Sequence, residues 1–173
     1  IVDEHGIGNI EEIAFGFQVI PDRDPAATII QPSMDDTVLA DAVVPVVAEV
    51  RDDIAVERSS IDVSRSNGDE VLRNVPGGGG SDSVRIEHDL DLSEIGVVTG
   101  DVIEIVARGS DGFESNGSFH AEARSLPRRL VVISETEFID VMREQLASVR
   151  RNAMRLDGMQ SDSQERIRNG GFN

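Results

Sequence analysis

Hydrophobic and polar residues alternate along much of the chain with a period of two, which is the pattern of β-strands that bury one face. The clearest run places Val84, Ile86, His88, Leu90 and Leu92 on one side, with charged residues between them. Because successive side chains of a strand point to opposite faces, this run predicts a strand packed against a core.

The same alternation predicts several further strands. The pattern recurs at residues 13–19, 44–50, 54–56, 61–63 and 103–107, and further strands are predicted at the short apolar segment 27–30 and at about residues 129–133. Asp52-Asp53 predicts a turn between two strands, Asn67-Gly68 predicts a hairpin turn, and the four glycines at 77–80 predict a flexible hairpin loop. About seven short strands separated by turn signals favour an all-β fold, an immunoglobulin-like antiparallel β-sandwich.

The period changes from two to that of a helix after residue 133. Ser134 and Glu137 have the spacing of a capping box, in which the serine hydroxyl and the glutamate carboxylate satisfy backbone donors of the first turn. We therefore predict one C-terminal amphipathic, coiled-coil-like helix over residues 134–157. The tail over residues 158–173 is predicted to be disordered, because it begins at a glycine and is mostly polar.

Apolar residues of this helix recur at alternating spacings of three and four, which is typical of the seam of a short coiled coil. The seam comprises Ile139, Met142, Leu146, Val149, Ala153 and Leu156. About three heptads alone are marginal in water. The seam can pack on the sandwich, pair with another helix or form the root of a longer coiled coil, and the sequence favours none of the three.

Prolines mark the other boundary of the sandwich. Pro21 closes the run at 13–19, and Asp22-Arg23-Asp24-Pro25 follows it as a stiff polar link. We therefore predict that residues 1–21 are the last strand of a preceding domain or an N-terminal extension. The sandwich itself is predicted to cover residues 22–133.

The charge of the chain excludes several classes of partner. The chain has 16 Arg and no Lys against 33 acidic residues, which gives a net charge of −17. Residues 1–125 carry 8 Arg against 26 acidic residues, whereas residues 126–173 carry 8 against 7. A field of this sign repels phosphate backbones and anionic membranes, so we expect no nucleic-acid partner. Since no apolar run approaches 20 residues, we also expect no membrane segment in this chain.

The residue types give little support to catalysis. Cys and Lys are absent, which removes thiol and amine nucleophiles and thiolate metal sites. His88 shares the apolar face of its strand, and His120-Ala121-Glu122 lacks the cysteine half of a zinc deaminase site. The glycines at 77–80 are not followed by the Gly-Lys-Ser/Thr of a phosphate-binding loop. We therefore expect a protein that is not an enzyme and has no organic cofactor.

Calcium is the one ligand for which the sequence supplies a physical argument. Hard cations prefer several carboxylate and carbonyl oxygens, and β-sandwiches can collect these at strand ends. The candidate calcium ligands lie in predicted turns and links, and they are Asp22, Asp24, Asp52, Asp53 and Asp111. The alternative is a solvated acidic face that keeps the protein soluble.

Three short segments resemble a known kind of protein. Residues 19–25 read Val-Ile-Pro-Asp-Arg-Asp-Pro, residues 46–54 read Val-Val-Ala-Glu-Val-Arg-Asp-Asp-Ile, and residues 100–108 read Gly-Asp-Val-Ile-Glu-Ile-Val-Ala-Arg. They resemble immunoglobulin-like or cadherin-like ectodomain repeats of large membrane-anchored bacterial envelope proteins, in which such domains precede long helical regions. The resemblance implies a periplasmic or cell-surface module and no catalytic residues.

Two functional hypotheses follow. The first is a noncatalytic extracytoplasmic spacer or protein-interaction module of a larger cell-envelope protein. Its partner would be a neighbouring domain of the same parent chain, or a helix held through Ile139, Met142, Leu146 and Val149. The alternative is a calcium-dependent, cadherin-like adhesion or ligand-binding module. Carbohydrate recognition is disfavoured, because the chain has no Trp or Tyr to stack on a sugar ring.

Overall fold

The computed structural model describes residues 4–5, 16, 18, 21–66, 70–115 and 117–170, without the side chains of residues 115, 162 and 165–170. Within these residues the chain forms strands, one short 3-10 helix at Leu92–Ile95 and one long α-helix. The elements are β1 (Ala26–Gln31), β2 (Asp36–Val38), β3 (Val43–Arg65), β4 (Val71–Pro76), β5 (Ser81–Asp91), β6 (Val102–Asp111), β7 (Glu114–Ser115), β8 (Ser118–Phe119), β9 (Ala123–Arg124), β10 (Arg128–Val132) and α1 (Glu135–Gly170).

Eight strands form one curled, mixed sheet. The path β1-β3-β6-β10-β2 is extended by β4 and β5, which pair with β3, and by β9, which pairs with β6; β7 and β8 form a separate small hairpin. The prediction of a mostly β chain with one C-terminal helix is confirmed. The prediction of a purely antiparallel arrangement is wrong, because β2 runs parallel to β10. Three residues are too few for β2 to show a period in the sequence.

Strand β3 is the longest element of the sheet and belongs to both of its halves. Its first half pairs with β5 over Val43–Arg51 and with β1 over Val47–Arg51. Its second half pairs with β6 over Val56–Arg65 and with β4 over Ser60–Ser64. The register with β5 jumps from Arg51 to Val56, so residues 52–55, hereafter the corner, leave the ladder. The predicted turn between two separate strands is therefore wrong, because the chain bends at the corner without reversing.

A carboxylate explains the bend. Asp52 Oδ2 accepts hydrogen bonds from the backbone N–H groups of Ile54 at 3.0 Å and Ala55 at 2.7 Å. Aspartate commonly binds backbone groups two or three residues ahead in this way, and it then competes with the ladder of the sheet. The Asp-Asp signal was thus a genuine turn signal, but it acts inside a continuous strand.

The four glycines at residues 77–80, hereafter the glycine segment, form a bulge and not a hairpin loop. Both β4 and β5 pair antiparallel with β3, so the chain continues in one direction through the segment and the hairpin prediction is wrong. The segment is also held in place, since Gly77 N–H donates to Ser59 O and Gly80 N–H donates to Val56 O, each at 2.8 Å. A Cβ on Gly79 would overlap the carbonyl oxygen of Glu57.

The predicted alternation is confirmed in the core. The inward-facing residues of β3, β5, β6 and β10 pack into one hydrophobic cluster that includes Val44, Val46, Ala48, Val50, Val84, Ile86, Leu90, Ile103, Ile105, Ala107, Leu130 and Val132. Gly109 of β6 pairs with Ser59 in the second half of β3, yet a Cβ there would overlap Val50 Cγ1 of the first half. The two halves of β3 therefore face each other across the core.

The predicted capping box is confirmed at the start of α1. Ser134 N–H donates to Glu137 Oε2 at 2.9 Å, and Glu137 N–H donates to Ser134 Oγ at 3.3 Å. The predicted helix end at residue 157 is wrong, and so is the disorder predicted for residues 158–170, because α1 continues to Gly170. Residues 171–173 of the predicted tail lie outside the described residues. A single exposed glycine costs a helix only about 1 kcal/mol relative to alanine, so Gly158 does not stop it.

Most of α1 extends away from the sheet. Phe138, Val141 and Met142 are half-buried, but every described side chain from residue 149 to residue 164 is exposed. At 1.5 Å per residue, the 36-residue helix is about 54 Å long.

The prediction for residues 1–21 falls largely outside the described residues. The apolar side chains that define the strand predicted at 13–19 are those of Ile13, Phe15, Phe17 and Val19, and none of them is described. Residues 21–25, hereafter the entry segment, lead directly into β1. Ala26, which follows the entry segment, pairs with Arg51 next to the corner, so the entry segment lies at the corner. At the other end of the domain, α1 follows β10.

Candidate cation site at the corner of the sheet

The corner presents two consecutive aspartates. Asp52 is half-buried and Asp53 is exposed. The Oδ2 atom of Asp52 is engaged with the two backbone donors of the corner, but its Oδ1 atom is shielded from solvent and has no hydrogen-bond partner. A buried carboxylate oxygen without a donor is unfavourable, since it has lost its hydrogen bonds to water and has formed none within the protein.

The entry segment lies against this corner. The backbone N–H of Arg23 donates to Asp22 Oδ1 at 3.0 Å and to Asp53 Oδ1 at 3.3 Å. This shared donor brings the carboxylates of Asp22 and Asp53 together, although 31 positions separate them in the sequence. Pro25, which closes the segment, is buried.

The end of β6 adds a third carboxylate and a histidine. Asp111 Oδ2 lies 2.6 Å from His120 Nδ1, and the Asp111 side chain is only 6% exposed. The ring of His120 stacks on Phe113, with centroids 4.0 Å apart. The backbone N–H of Phe113 also donates to Asp111 Oδ1 at 3.3 Å. These contacts hold Asp111 in one position.

These side chains form two overlapping clusters. One ligand atom from each of Asp22, Asp52 and Asp53 lies within 4.8 Å of the other two, and the same holds for Asp22, Asp111 and His120. Asp22 belongs to both. Three of the five predicted calcium ligands, Asp22, Asp52 and Asp53, are thus brought together, and Asp111 is near Asp22 in the other cluster. The fifth, Asp24, lies beside them, with Oδ1 3.9 Å from His120 Nε2.

Crowding changes the ionisation of Asp22. Removal from water raises its pKa, and so do its hydrogen bond with Asp53 and the negative charges of Asp53 and Asp52, while the backbone N–H of Arg23 lowers it. Like charges at short range disfavour each other's ionised form. A positive ion among these carboxylates would remove the repulsion.

His120 responds to the same carboxylates in the opposite sense. Its hydrogen bond with Asp111 raises its pKa, and the charges of Asp111, Asp24 and Asp22 raise it further, against burial, which lowers it. The surrounding carboxylates therefore favour the protonated, positively charged form of the His120 imidazole. The sequence does not link His120 to the aspartates, because His120 reaches Asp111 only through the β7–β8 hairpin and no spacing rule connects the two residues.

A cleft of about 1100 Å³ opens beside the second cluster. Its lining includes Asp111, His120, Arg108 and the glycine segment. Arg108 forms ion pairs with Asp62 and Glu122, and the Ser59 hydroxyl donates to Gly78 O at 2.7 Å. Since these polar groups are engaged with one another, the lining resembles a structural network more than an activated nucleophile with its base.

Searches with the sequence against protein-family models and against curated proteins find no significant match. Within the described part of the chain, none of the helices has both the length and the apolar character that a membrane crossing requires.

Proposed function

We propose that the chain is a noncatalytic, extracytoplasmic spacer and protein-interaction module of a larger cell-envelope protein, and that its curled sheet is an immunoglobulin-like β-sandwich. The observation that carries the proposal is the exposed apolar seam of α1. A helix that extends from a β-domain with such a seam is suited to joining the domain to another helix.

The seam is exposed along most of its length. Leu146, Val149 and Leu156 expose 68%, 65% and 63% of their surface, and Ile139 exposes 48%. Apolar side chains that recur on one helical face are buried in stable assemblies, so an uncovered seam points to an absent partner. The seam ends near Leu156, because the next positions of the heptad pattern are Gln160 and Ser163.

The residues beside the seam suit a helix as the partner. With Ile139 and Met142 at positions a and d, Arg143 and Arg150 fall at position e, and Gln145 and Asn152 fall at position g. In a parallel pair of these helices, each Arg150 would face a neutral Gln145 of the other copy. Self-pairing therefore brings no like charges together across the seam, and we propose the helix of a second copy as the partner.

The proposed location outside the cytoplasm rests on the resemblance of residues 19–25, 46–54 and 100–108 to envelope proteins. The acidic surface of the β-domain is consistent with a solvated position beside a membrane to which it does not adsorb. Protease added to spheroplasts that produce the full-length parent protein should cleave within this domain, whether the domain is periplasmic or at the cell surface. Cleavage only after the spheroplasts are lysed would contradict a location outside the cytoplasm.

Sedimentation equilibrium tests the helix pairing. We expect concentration-dependent dimers for the natural chain and at least tenfold weaker association for Leu146→Glu, because a carboxylate in the seam would be desolvated against apolar neighbours. Met154→Glu is the matched control, since Met154 is an exposed apolar residue of the same helix outside the seam. A natural chain that stays monomeric at millimolar concentration would contradict pairing between copies.

A second candidate function is a calcium-dependent adhesion or ligand-binding module. The observation that favours it is the convergence of Asp22, Asp52, Asp53 and Asp111 at one end of the sheet. Calcium binding and helix pairing involve different residues, so either can fail without the other.

A further inference from the structure

Strand β5 has one edge that no described strand covers. Among the strands that the structure describes, β5 pairs only with β3, and that ladder runs without a register shift from Asp91 to Ser83. In an antiparallel sheet, the backbone N–H and C=O groups of alternate residues point toward opposite neighbours. About half of these groups in residues 81–91 therefore point along the other side of β5, hereafter the free edge, where a further strand could bind them.

The free edge lacks features that commonly protect an exposed strand from pairing. Edge strands of soluble proteins are often short, interrupted by proline or a bulge, or covered by another element. Strand β5 has 11 residues without proline, and its register shift with β3 lies beyond Ser83. Its outward-facing residues Arg85, Glu87 and Asp89 are exposed. Such an edge is suited to the addition of a strand from a partner, and the mixed charges on it select which strand can pair.

The order of charges along β5 favours a second copy of the same strand as the partner. Two copies related by a two-fold axis perpendicular to the sheet pair antiparallel, and outward residues of one copy then face outward residues of the other. When the axis passes through Ile86, the midpoint of Ser81–Asp91, all 11 residues overlap. Residues at equal distances before and after Ile86 then face each other, so Arg85 of each copy lies opposite Glu87 of the other.

The adjacent registers are unfavourable. An axis through Arg85 would place this arginine opposite its own copy, and an axis through Glu87 would do the same with the glutamate; like charges directly opposite each other destabilise a strand pair. Within one chain, Arg85 Nε already lies 2.6 Å from Glu87 Oε1, and the two side chains are 53% and 65% exposed. Pairing centred on Ile86 extends this ion pair into four charges of alternating sign. The register with the longest overlap is thus also the one with complementary charges.

We propose that the free edge of β5 binds β5 of a second copy, antiparallel and centred on Ile86, so that two curled sheets join into one continuous sheet. One pair of strands is a small interface, so the Kd between separate chains is on the order of 1 mM. Such a contact is effective between copies that other interactions hold close together. This inference goes beyond the proposed function, because it uses a surface distinct from α1 and does not depend on helix pairing.

Disulfide formation tests the register, because the natural chain contains no cysteine. Ser83 of one copy lies opposite Asp89 of the other in the proposed pair, so full chains with Ser83→Cys and with Asp89→Cys are mixed near the expected Kd under mild oxidation. Both carry Leu146→Glu, which interrupts the seam of α1. Mass spectrometry should show the mixed disulfide forming at least fivefold faster than in a mixture of Ser81→Cys and Asp89→Cys, which reports the register with Arg85 opposite its copy. Equal rates would overturn the proposal, since they would indicate random collision.

Charge exchange tests the ion pairs across the two-fold axis. Adding Glu87→Arg to both members of the Ser83→Cys and Asp89→Cys mixture places like charges opposite each other and should slow the mixed disulfide at least fivefold. The double change Arg85→Glu with Glu87→Arg restores opposite charges and should return the rate to within about twofold of the original. Equal rates for the single and the double change would overturn the pairing, because complementarity between the two positions would then have no effect.

Discussion

Two residues, Ser134 and Glu137, stabilise the first turn of α1 through their capping hydrogen bonds. Hydrogen bonds from the backbone N–H and the hydroxyl of Ser134 lower the pKa of Glu137. A carboxyl whose pKa is lowered on folding stabilises the fold above its ordinary pKa, and that stability is lost as the pH falls through the folded-state value. The start of α1 should therefore weaken in acid.

We expect the helical circular dichroism signal at 222 nm to decrease between about pH 5 and pH 2, with part of the decrease absent in Glu137→Gln, which cannot titrate. Glu135→Gln is the matched control, because Glu135 is also in the first turn but lies outside the capping box. An identical acid profile for the natural chain and Glu137→Gln would contradict the role of this carboxylate.

Removing the serine hydroxyl tests the other half of the same cap. Ser134→Ala should destabilise the start of the helix by about 1 kcal/mol, since one backbone donor of the first turn loses its acceptor. Hydrogen exchange of the amides in the first turn measures this change. Unchanged protection of the Glu137 amide would contradict it.

The capping box could be read from the sequence because all of its atoms come from four consecutive residues. Asp22, Asp52, Asp53 and Asp111 could be proposed as a group only because acidic residues in turns suggest strand ends. His120 could not be added, since its position depends on a hairpin of two-residue strands that shows no periodicity. Local chemistry was therefore predictable, whereas contacts between distant residues were not.

At the scale of elements, the glycine segment keeps β4 and β5 on one edge of β3. Gly79→Ala should destabilise the protein by roughly 1–3 kcal/mol, because the new Cβ would overlap the backbone carbonyl of Glu57, which cannot move without disturbing β3. Urea denaturation followed by circular dichroism measures the difference.

Gly78→Ala provides the control at the neighbouring position. A Cβ on Gly78 would meet Val84 Cγ1 at 3.9 Å, which is an ordinary van der Waals contact. We expect its free energy of unfolding to stay within about 0.5 kcal/mol of the natural value. Equal effects of the two substitutions would mean that chain flexibility, and not the space beside Glu57, makes glycine necessary.

The strands themselves were predicted well, but their connections were not. Alternation reports which side of a strand is buried, and Val44 to Val50 and Ile103 to Ala107 follow it. Alternation does not report the direction that the chain takes after a turn signal. Asp52-Asp53 and the glycine segment both consist of residue types that are common where a chain reverses its direction. In each case, however, pairing with a long neighbouring strand keeps the chain in its original direction.

At the scale of the whole molecule, the β-domain and the far part of α1 are separable. The core lies within the sheet, and the described side chains from residue 149 to residue 164 are exposed. A chain that ends at residue 148 should therefore keep the Tm of the β-domain within about 2 °C while it loses self-association. Differential scanning calorimetry at micromolar concentration measures the Tm. A large drop would show that the distal helix supports the domain.

The two connections of the β-domain lie at opposite ends of β6. The entry segment lies near Asp111 at one end, and the strand that leads to α1 is hydrogen-bonded near Asp101 at the other, through Val132 N–H to Asp101 O. Ten residues of strand separate these ends by about 30 Å.

Tension applied between the two connections would consequently run lengthwise along the strands. β1 would be pulled toward the corner and β10 away from it, so the hydrogen bonds that join them to β3 and β6 would be loaded together in shear and not opened one after another. A module with this geometry resists extension far better than one whose two connections leave from the same end.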